Sequence, residues 1–522
     1  MSAPGTLPGV PDRIPLRPTH PVETPLEEVA EGLGEALVGR RGPVDTTVVT
    51  GVTISSLRVS PGDLYVAPAG ARRHGAAFVP QAVAAGAVAV LTDPAGLEVL
   101  DALADPPETP VLVVERPRAV LGDLAARLYG NPAGHLRLMA VTGTQGKTTT
   151  TRLAEAALTA SGVRSAVVGT IGTRVAGTAV QTSLTTPEAP DLHGLLAVMV
   201  EREVAACAME VSSHALVMGR VDGVVFDVAC FTNLGRDHLD FHADVEDYFA
   251  AKASLFTPAR CRRALVNLDD GFGRRLAAEA QVPVRTFSVG DPEADWRACD
   301  VRLEPTGSSF TVQPPGGRPF PARVPLTGEF NVSNALCAIA ALAELGFDAP
   351  TVAQAMSDAG GVPGRLERVE AGQPFLAVVD YAHKPDAVQA ALTALRPLTT
   401  GRLLVVLGAG GERDPGKRPL MGEIAARLAD VLVVTDDNPR SEDPAVIREA
   451  VLGGARRVPA GDRAEVHEVG DRRVAIRTAV ALAGPGDTVV VAGKGHETGQ
   501  EIAGTLHPFD DRDVLREELA SR

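Results

Sequence analysis

The segment Thr142-Gly-Thr-Gln-Gly-Lys-Thr-Thr149 has the residue types and spacing of a phosphate site. Gly143 and Gly146 remove the Cβ atoms that would keep a ligand from the backbone N–H groups, and the helical pattern that follows adds the positive end of its dipole. Thr144, Gln145 and Thr149 complete the loop, Lys147 can neutralise β/γ-phosphate oxygens, and the Thr148 hydroxyl can ligate Mg²⁺. Val141 stands where the general pattern G-x-x-x-x-G-K-[ST] has its first Gly, so this loop is a shortened one. The bland alternative is a Gly-rich turn before a helix.

Asp437-Asn438-Pro439-Arg440 offers different chemistry. It reads either as an Asn-Pro turn with a surface Arg or as a planar guanidinium fork that grips a carboxylate at two points. His238 and His242, four apart, raise a zinc site, but Leu239 stands where H-E-x-x-H needs Glu. Lys252 lies in an Ala-rich helical stretch, Asp247 to Leu255, and without context is a solvated helix lysine. Asn331 and Asn334 follow Gly328 before an Ala-rich helix that their side chains could cap. Gly408-Ala-Gly-Gly411 would be a dinucleotide loop only with Gly at 413, where Arg413 stands.

These residues need strands and helices to position them. Short apolar runs between Val48 and Val114 alternate with Ala-rich helical stretches and predict a small α/β unit ending near Gly134. A second unit opens with the strand Leu136 to Val141, and its helix carries Leu153, Ala154, Ala157 and Leu158 to the core. Glu210 and His238 lie past further expected strands, Ala205 to Met209 and Val224 to Phe231. Gly360 to Gly364 reads as a linker to a third unit with strands Phe375 to Val379, Leu403 to Leu407, Val431 to Val434 and Thr488 to Val491. Each runs into a polar segment, and if the strands are parallel all four segments share the ligand-binding rim of an open α/β sheet.

At 522 residues the chain predicts three domains, and 45% hydrophobic with 22% charged residues excludes a disordered or collagen-like protein. Only 4% is aromatic, so Ala, Val and Leu must build the cores. A formal charge of −15 argues against nucleic acid and membrane surfaces as partners. Five scattered cysteines without C-x-x-C indicate neither a disulfide framework nor a zinc knuckle, so a cytoplasmic location is expected. The Pro/Gly-rich residues 1–25 read as a flexible lead rather than a signal peptide, and no run approaches membrane-spanning length. A monomer is the expected state.

A shortened T-G-T-x-G-K-T loop is what Mur ligases and folylpolyglutamate synthetases carry. Glu210-Val-Ser-Ser-His214, Thr232-Asn-Leu-Gly-Arg-Asp-His-Leu-Asp240, Ala251-Lys252, Gly328-Glu-Phe-Asn-Val-Ser-Asn-Ala335, Pro363-Gly-Arg-Leu-Glu367 and Asp380-Tyr-Ala-His383 follow in the order of the Mur ligase family, which the chain resembles from about residue 45 to 515. The resemblance implies an α/β, three-domain architecture: a UDP-MurNAc-binding domain (26–135), a central P-loop ATPase domain (136–361) and a C-terminal Rossmann-like amino-acid-binding domain (362–522). It implies Thr148, Glu210, His238 and Lys252 around Mg²⁺, with Lys252 as a CO₂-derived carbamate; Lys147, Lys252 and His238 would be the catalytic groups. Asn331 and Asn334 would meet the ATP base, while Arg365, Asp380 and His383 would close on the nucleotide from the third domain.

D-N-P-R is the signature of the family's diaminopimelate-adding members. The resemblance gives Arg413, Asp437, Asn438, Pro439, Arg440, Gly493 and Glu497 to the incoming amino acid, expected to be meso-diaminopimelate, with the LL form differing only in chirality. The acceptor implied is UDP-MurNAc-L-Ala-D-Glu, with contacts from Ser56, Thr185, Thr186, Ser212 and Arg220. Around Ser56 the family segment D-S-R-x-V-x-x-G-D is altered, with Ser55 for Asp and Leu57 for Arg, and Met218 replaces a Gln of some relatives. The expected activity is an ATP-dependent ligase of peptidoglycan precursor synthesis. The rivals are a folylpolyglutamate synthetase, a P-loop kinase and a non-catalytic ATP-binding paralogue.

Overall fold

The computed structural model describes residues 14–182, 184–238 and 241–522. Leu239, Asp240 and residues 1–13 of the expected lead lie outside the described residues. Three main sheets are built in chain order. The first has five strands, ordered Leu37–Arg41, Val111–Val114, Ala89–Thr92, Asp63–Ala67, Gly51–Thr53, parallel except for the antiparallel edge at Leu37–Arg41.

The central sheet has eleven strands, with Arg137–Thr142 between Ala206–Glu210 and Val228–Phe231, parallel to both. The antiparallel strands Trp296–Glu304, Gly307–Gln313 and Phe320–Val324 extend it at one edge. Along Arg137–Thr142 the side chains alternate: Met139 and Val141 enter one core, Leu138 and Ala140 the other. The helix Lys147–Ala160 buries Leu153, Ala154, Ala157 and Leu158, as its spacing predicts. The expected strand from Val224 begins only at Val228, because Phe226 leaves the ladder in an isolated bridge to Cys261.

The third sheet has six strands, with Leu376–Asp380, Thr488–Ala492, Leu403–Leu407 and Val431–Val434 adjacent and parallel. Apart from half-buried Leu376, their Val and Leu side chains are buried on both faces, each worth about 1.5–3 kcal/mol on full burial. The four polar segments that follow therefore lie on one carboxyl rim.

Residues 14–25 are not a loose lead. Ile14 is buried in the central core, Arg17 pairs with Asp63, Thr19 and His20 donate backbone N–H groups to Glu201, and Thr24–Pro25 pairs with Val48–Val49. Composition had signalled flexibility, but proline-rich chain can also lie extended against a surface when its few apolar and charged residues find partners. Similarly, the linker after Gly360 is anchored, with Val362 in the central core and Gly364 packed against Gly495. No helix among the described residues is long and apolar enough to cross a membrane.

Candidate active site

The phosphate loop joins the strand Arg137–Thr142 to the helix Lys147–Ala160, and Gly146 at the helix start has φ +86°. A Cβ there would stand 2.4 Å from Asn334 Oδ1, so only glycine fits. Thr232 and Asn233 hold the loop: Thr232 Oγ1 donates to the Gln145 carbonyl (2.6 Å), and the Gln145 N–H donates to Asn233 Oδ1 (3.0 Å). Lys147 Nζ folds over the loop and donates to the carbonyls of Gly143 (2.8 Å) and Thr144 (3.2 Å). Burial, then repulsion from Lys384, brings its pKa down to about 8.

Glu210 ends its strand beside the loop. It accepts from Thr148 Oγ1 (3.0 Å), the Thr170 N–H (2.8 Å) and Thr170 Oγ1 (3.1 Å). Thr148 and Glu210 thus present adjoining oxygens, the donor type a hard cation takes. His238, at φ +54°, sits 3.1 Å from Asp237 Oδ2. Burial first, with Lys384 and Lys147 adding to it against Asp237, lowers its pKa to about 4, so its ring is neutral at pH 7. His242 uses Nδ1 on Asp247 and Nε2 on Ser213, which leaves no ring nitrogen for zinc.

Lys252 is 1% exposed on the helix Val245–Ala253. Its amine donates to the Gly143 carbonyl (2.9 Å) and lies 4.5 Å from the Tyr248 ring centroid. Burial, then Lys147 and Lys384, hold its pKa well below the ordinary lysine value. A buried amine whose ammonium form is disfavoured, with two cations nearby, fits conversion to a carbamate, because the free amine reacts with CO₂ and the product anion would face positive charge.

A cavity of about 960 Å³ opens from this loop to the rim of the third sheet. Thr144 to Thr149, Glu210 and His238 line it from the central sheet, with Asn331 and Asn334. Arg365, Asp380, His383, Arg413, Asp437, Asn438, Arg440, Gly493 and Glu497 line it from the third unit. Thr185, Thr186, Ser212 and Arg220 share the same cavity, with Arg220 Nε donating to Glu188 (2.9 Å). Gly143, Lys252, Pro439 and Ser56 are not among its lining residues; Ser56 donates to Gln81 in the first unit. Asn331 and Asn334 do not cap a helix, since theirs begins at Glu329 and both lie inside it. Asn331 Nδ2 donates back to the Thr327 carbonyl (2.8 Å), and Thr150 Oγ1 donates to Asn334 (3.4 Å).

On the rim, Asp380 accepts N–H bonds from Leu366 (2.7 Å) and Ala382 (2.9 Å), while burial raises its pKa against the opposing pull of Arg365. His383 donates from Nδ1 to the Tyr381 carbonyl (2.7 Å), and burial, then Lys384 and Lys417, keep it neutral. Arg440 has φ +54°, held by its N–H to the Glu501 carbonyl and by the Ala503 N–H to its own carbonyl. Its guanidinium donates to the Gly411 carbonyl and stands 3.4 Å from Glu501 Oε2. Gly493, at φ +121°, would put a Cβ 2.7 Å from Asp437 Oδ2.

Sequence reasoning missed four groups. Asp237 pairs with Lys384 and ties the central unit to the third; Thr170 holds Glu210; buried Lys494 sits between Asn438 and Glu497. Asp237 and Lys494 lie within segments already singled out, and Lys384 directly follows one.

Fold and cavity define a three-sheet α/β protein whose phosphate loop faces the ligand rim of a second parallel sheet. Family models agree: Mur ligase family, catalytic domain, matches residues 48–129; Mur ligase middle domain, 141–342; and Mur ligase, glutamate ligase domain, 364–495. The UDP-N-acetylmuramoyl-L-alanyl-D-glutamate--2,6-diaminopimelate ligase of Streptomyces coelicolor is 54% identical, covering 97% of this chain and 98% of its own. The same-named protein of Streptomyces avermitilis is 55% identical over 97% and 98%. A solved structure of a protein with that name superposes with TM-score 0.68 at 31% identity, covering 96% of this chain and 99% of its own. The chain belongs to the Mur ligase family.

Proposed function

We propose that this chain is the ATP-dependent ligase that joins diaminopimelate to the D-Glu γ-carboxylate of UDP-MurNAc-L-Ala-D-Glu in peptidoglycan precursor synthesis. One observation carries the reading: a single cavity holds Lys147 and Thr148 of the phosphate loop together with Asn438, Arg440 and Glu497 of the opposite rim. The printed names of the relatives, at 54% and 55% identity over nearly the whole chain, support it.

In this reading a γ-carboxylate oxygen attacks the γ-phosphorus of ATP and ADP leaves; the amine of diaminopimelate then attacks the acyl carbon and phosphate leaves, giving the amide. Bringing two anions together needs positive charge at the phosphoryl group, and Lys147 supplies it from the loop. Thr148, Glu210, His238 and carbamylated Lys252 would hold Mg²⁺, whose bound form supplies charge neutralisation on the phosphates. Asn331 and Asn334 would meet the base, and Arg365, Asp380 and His383 the nucleotide from the third unit, whose Lys384–Asp237 pair helps keep water from the acyl phosphate. Thr185, Thr186, Ser212 and Arg220 would hold the dipeptide end of the acceptor, and Ser56 its uridine end. Arg440 and Asn438 would grip the distal carboxylate of the amino acid, Glu497 its distal ammonium, with Arg413, Asp437, Pro439 and Gly493 shaping the remaining contacts. A monomer working in the cytoplasm is part of the same reading.

The test is phosphate release from ATP and UDP-MurNAc-L-Ala-D-Glu with meso-diaminopimelate, LL-diaminopimelate or L-lysine. Release that depends on diaminopimelate is expected. Preference for lysine removes the role of Arg440, and release without any amino acid returns the chain to the kinases.

A further inference from the structure

We propose that Lys494 is a positioning residue that sets the polarity of the amino-acid site, so that the site favours a zwitterionic diacid over a plain diamino acid. The proposal rests on the diaminopimelate reading above. Lys494 is fully buried, does not line the cavity, and lies just behind two residues that do. Its ammonium donates to Asn438 Oδ1 at 2.9 Å and to Glu497 Oε2 at 3.0 Å, and lies 3.7 Å from Asp437 Oδ1.

The bonding pattern leaves Asn438 one orientation. Lys494 can only donate, and so can the Glu501 N–H, which reaches the same Asn438 atom at 2.9 Å. That atom must be the carbonyl oxygen. The other amide atom stands 2.9 Å from a Glu497 carboxylate oxygen, an acceptor, and must be the nitrogen. With its oxygen occupied twice from behind, Asn438 offers the cavity only N–H, which suits a carboxylate. Glu497 is polarised by the same cation: Oε2 accepts from both Lys494 and Asn438, while Oε1 has a single longer contact, with the Tyr381 hydroxyl at 3.4 Å. Oε1 is thus the oxygen left for an incoming ammonium.

Charge adds to direction. Without Lys494, the Asp437 and Glu497 carboxylates would stand together against the cavity, a field that repels a distal carboxylate and attracts the excess positive charge of lysine. With Lys494 in place, donors and one acceptor alternate along the rim, matching an amino acid that ends in both an acid and an amine.

The test uses full-length Lys494→Met, which keeps bulk and removes donors and charge, and Lys494→Gln, which removes the charge but keeps an amide NH₂ donor. In K494M the KM for diaminopimelate should rise at least ~10-fold, and the diaminopimelate-to-lysine ratio of kcat/KM should fall by about as much, with the KM for ATP within about twofold of wild type. K494Q should fall between the two. A merely structural role would depress both amino acids in proportion; an unchanged ratio in a variant that is folded at the assay temperature, as a cooperative melt shows, overturns the proposal. If K494M does not fold, the ratio in K494Q decides by the same criterion. Wild-type enzyme that uses diaminopimelate while the variants keep its selectivity sinks Lys494 alone; wild-type enzyme that does not use it sinks the functional reading and this proposal together.

Discussion

The two walls of the cavity treat positive charge in opposite ways. On the phosphate-loop side, Lys147 and Lys252 both donate to the Gly143 carbonyl, and burial together with other lysines pushes both pKa values down. On the amino-acid rim three cations each have a carboxylate. Lys494 meets Glu497, Arg440 meets Glu501, and fully buried Arg472 forms two 2.7 Å bonds to Asp511 while donating to the carbonyls of Ala492 (3.0 Å) and Asp436 (3.4 Å). Arg472 therefore pins the ends of the two strands that lead into Gly493 and Asp437. The first wall is incomplete until anions arrive, which suits a triphosphate. Around Lys494 and Arg440 the second is paired before anything binds, so there it selects by bond direction rather than by net attraction.

The largest effect should come from the incomplete wall. Lys252→Ala is expected to cut diaminopimelate-dependent phosphate release by roughly 10³-fold, the scale of losing one charge-stabilising group. Acetate or CO₂ supplied in the assay should restore part of it, and full activity in the untreated variant would end the carbamate assignment. On the balanced wall the comparable break is structural: Asp511→Ala strands a buried guanidinium and should cost about 3–5 kcal/mol in denaturant unfolding. An intermediate effect belongs to Arg440→Met, which removes the carboxylate fork and should raise the KM for diaminopimelate roughly 10–100-fold, with the KM for ATP unmoved. A loss confined to kcat would show that the guanidinium does not hold the ground-state amino acid.

Much of this division was legible in the sequence. The shortened loop, the parallel strands of the third unit and the shared rim follow from apolar runs ending in polar segments, because a strand buried on both faces has little choice of side chain. The family segments marked residues that the cavity brings together. What the sequence could not give was pairing. Nothing in Gly493-Lys-Gly-His-Glu497 says that its lysine turns away from solvent to reach Asn438, and nothing near Asp237 foretells Lys384, 147 positions on. Such contacts depend on how the sheets lie against each other. The antiparallel strands from Trp296 to Val324 went unnoticed for a different reason: the exposed positions of the first, Trp296–Glu304, are rich in charge, and its apolar periodicity is interrupted by a register shift between Cys299 and Arg302.

The smallest effect separates the two walls by pH alone. Lys147 titrates near 8 in the folded chain, whereas the unfolded chain restores the ordinary value of 10.5. Between those values the unfolded state binds more protons than the folded one, so this group makes stability rise with pH through that window, and its unfavourable contribution is full below about 8. Lys147→Met removes a half-buried ammonium without removing bulk. Its melting temperature relative to wild type should therefore be highest at pH 7.5 and should fall back by pH 9.5, even though the variant is catalytically dead. The matching substitution on the other wall, Lys494→Met, should lower the melting temperature at pH 7.5, because there the ammonium has carboxylate partners. If K147M proves less stable than wild type at pH 7.5, the phosphate loop is held together by its lysine rather than strained by it, and the contrast between the two walls disappears.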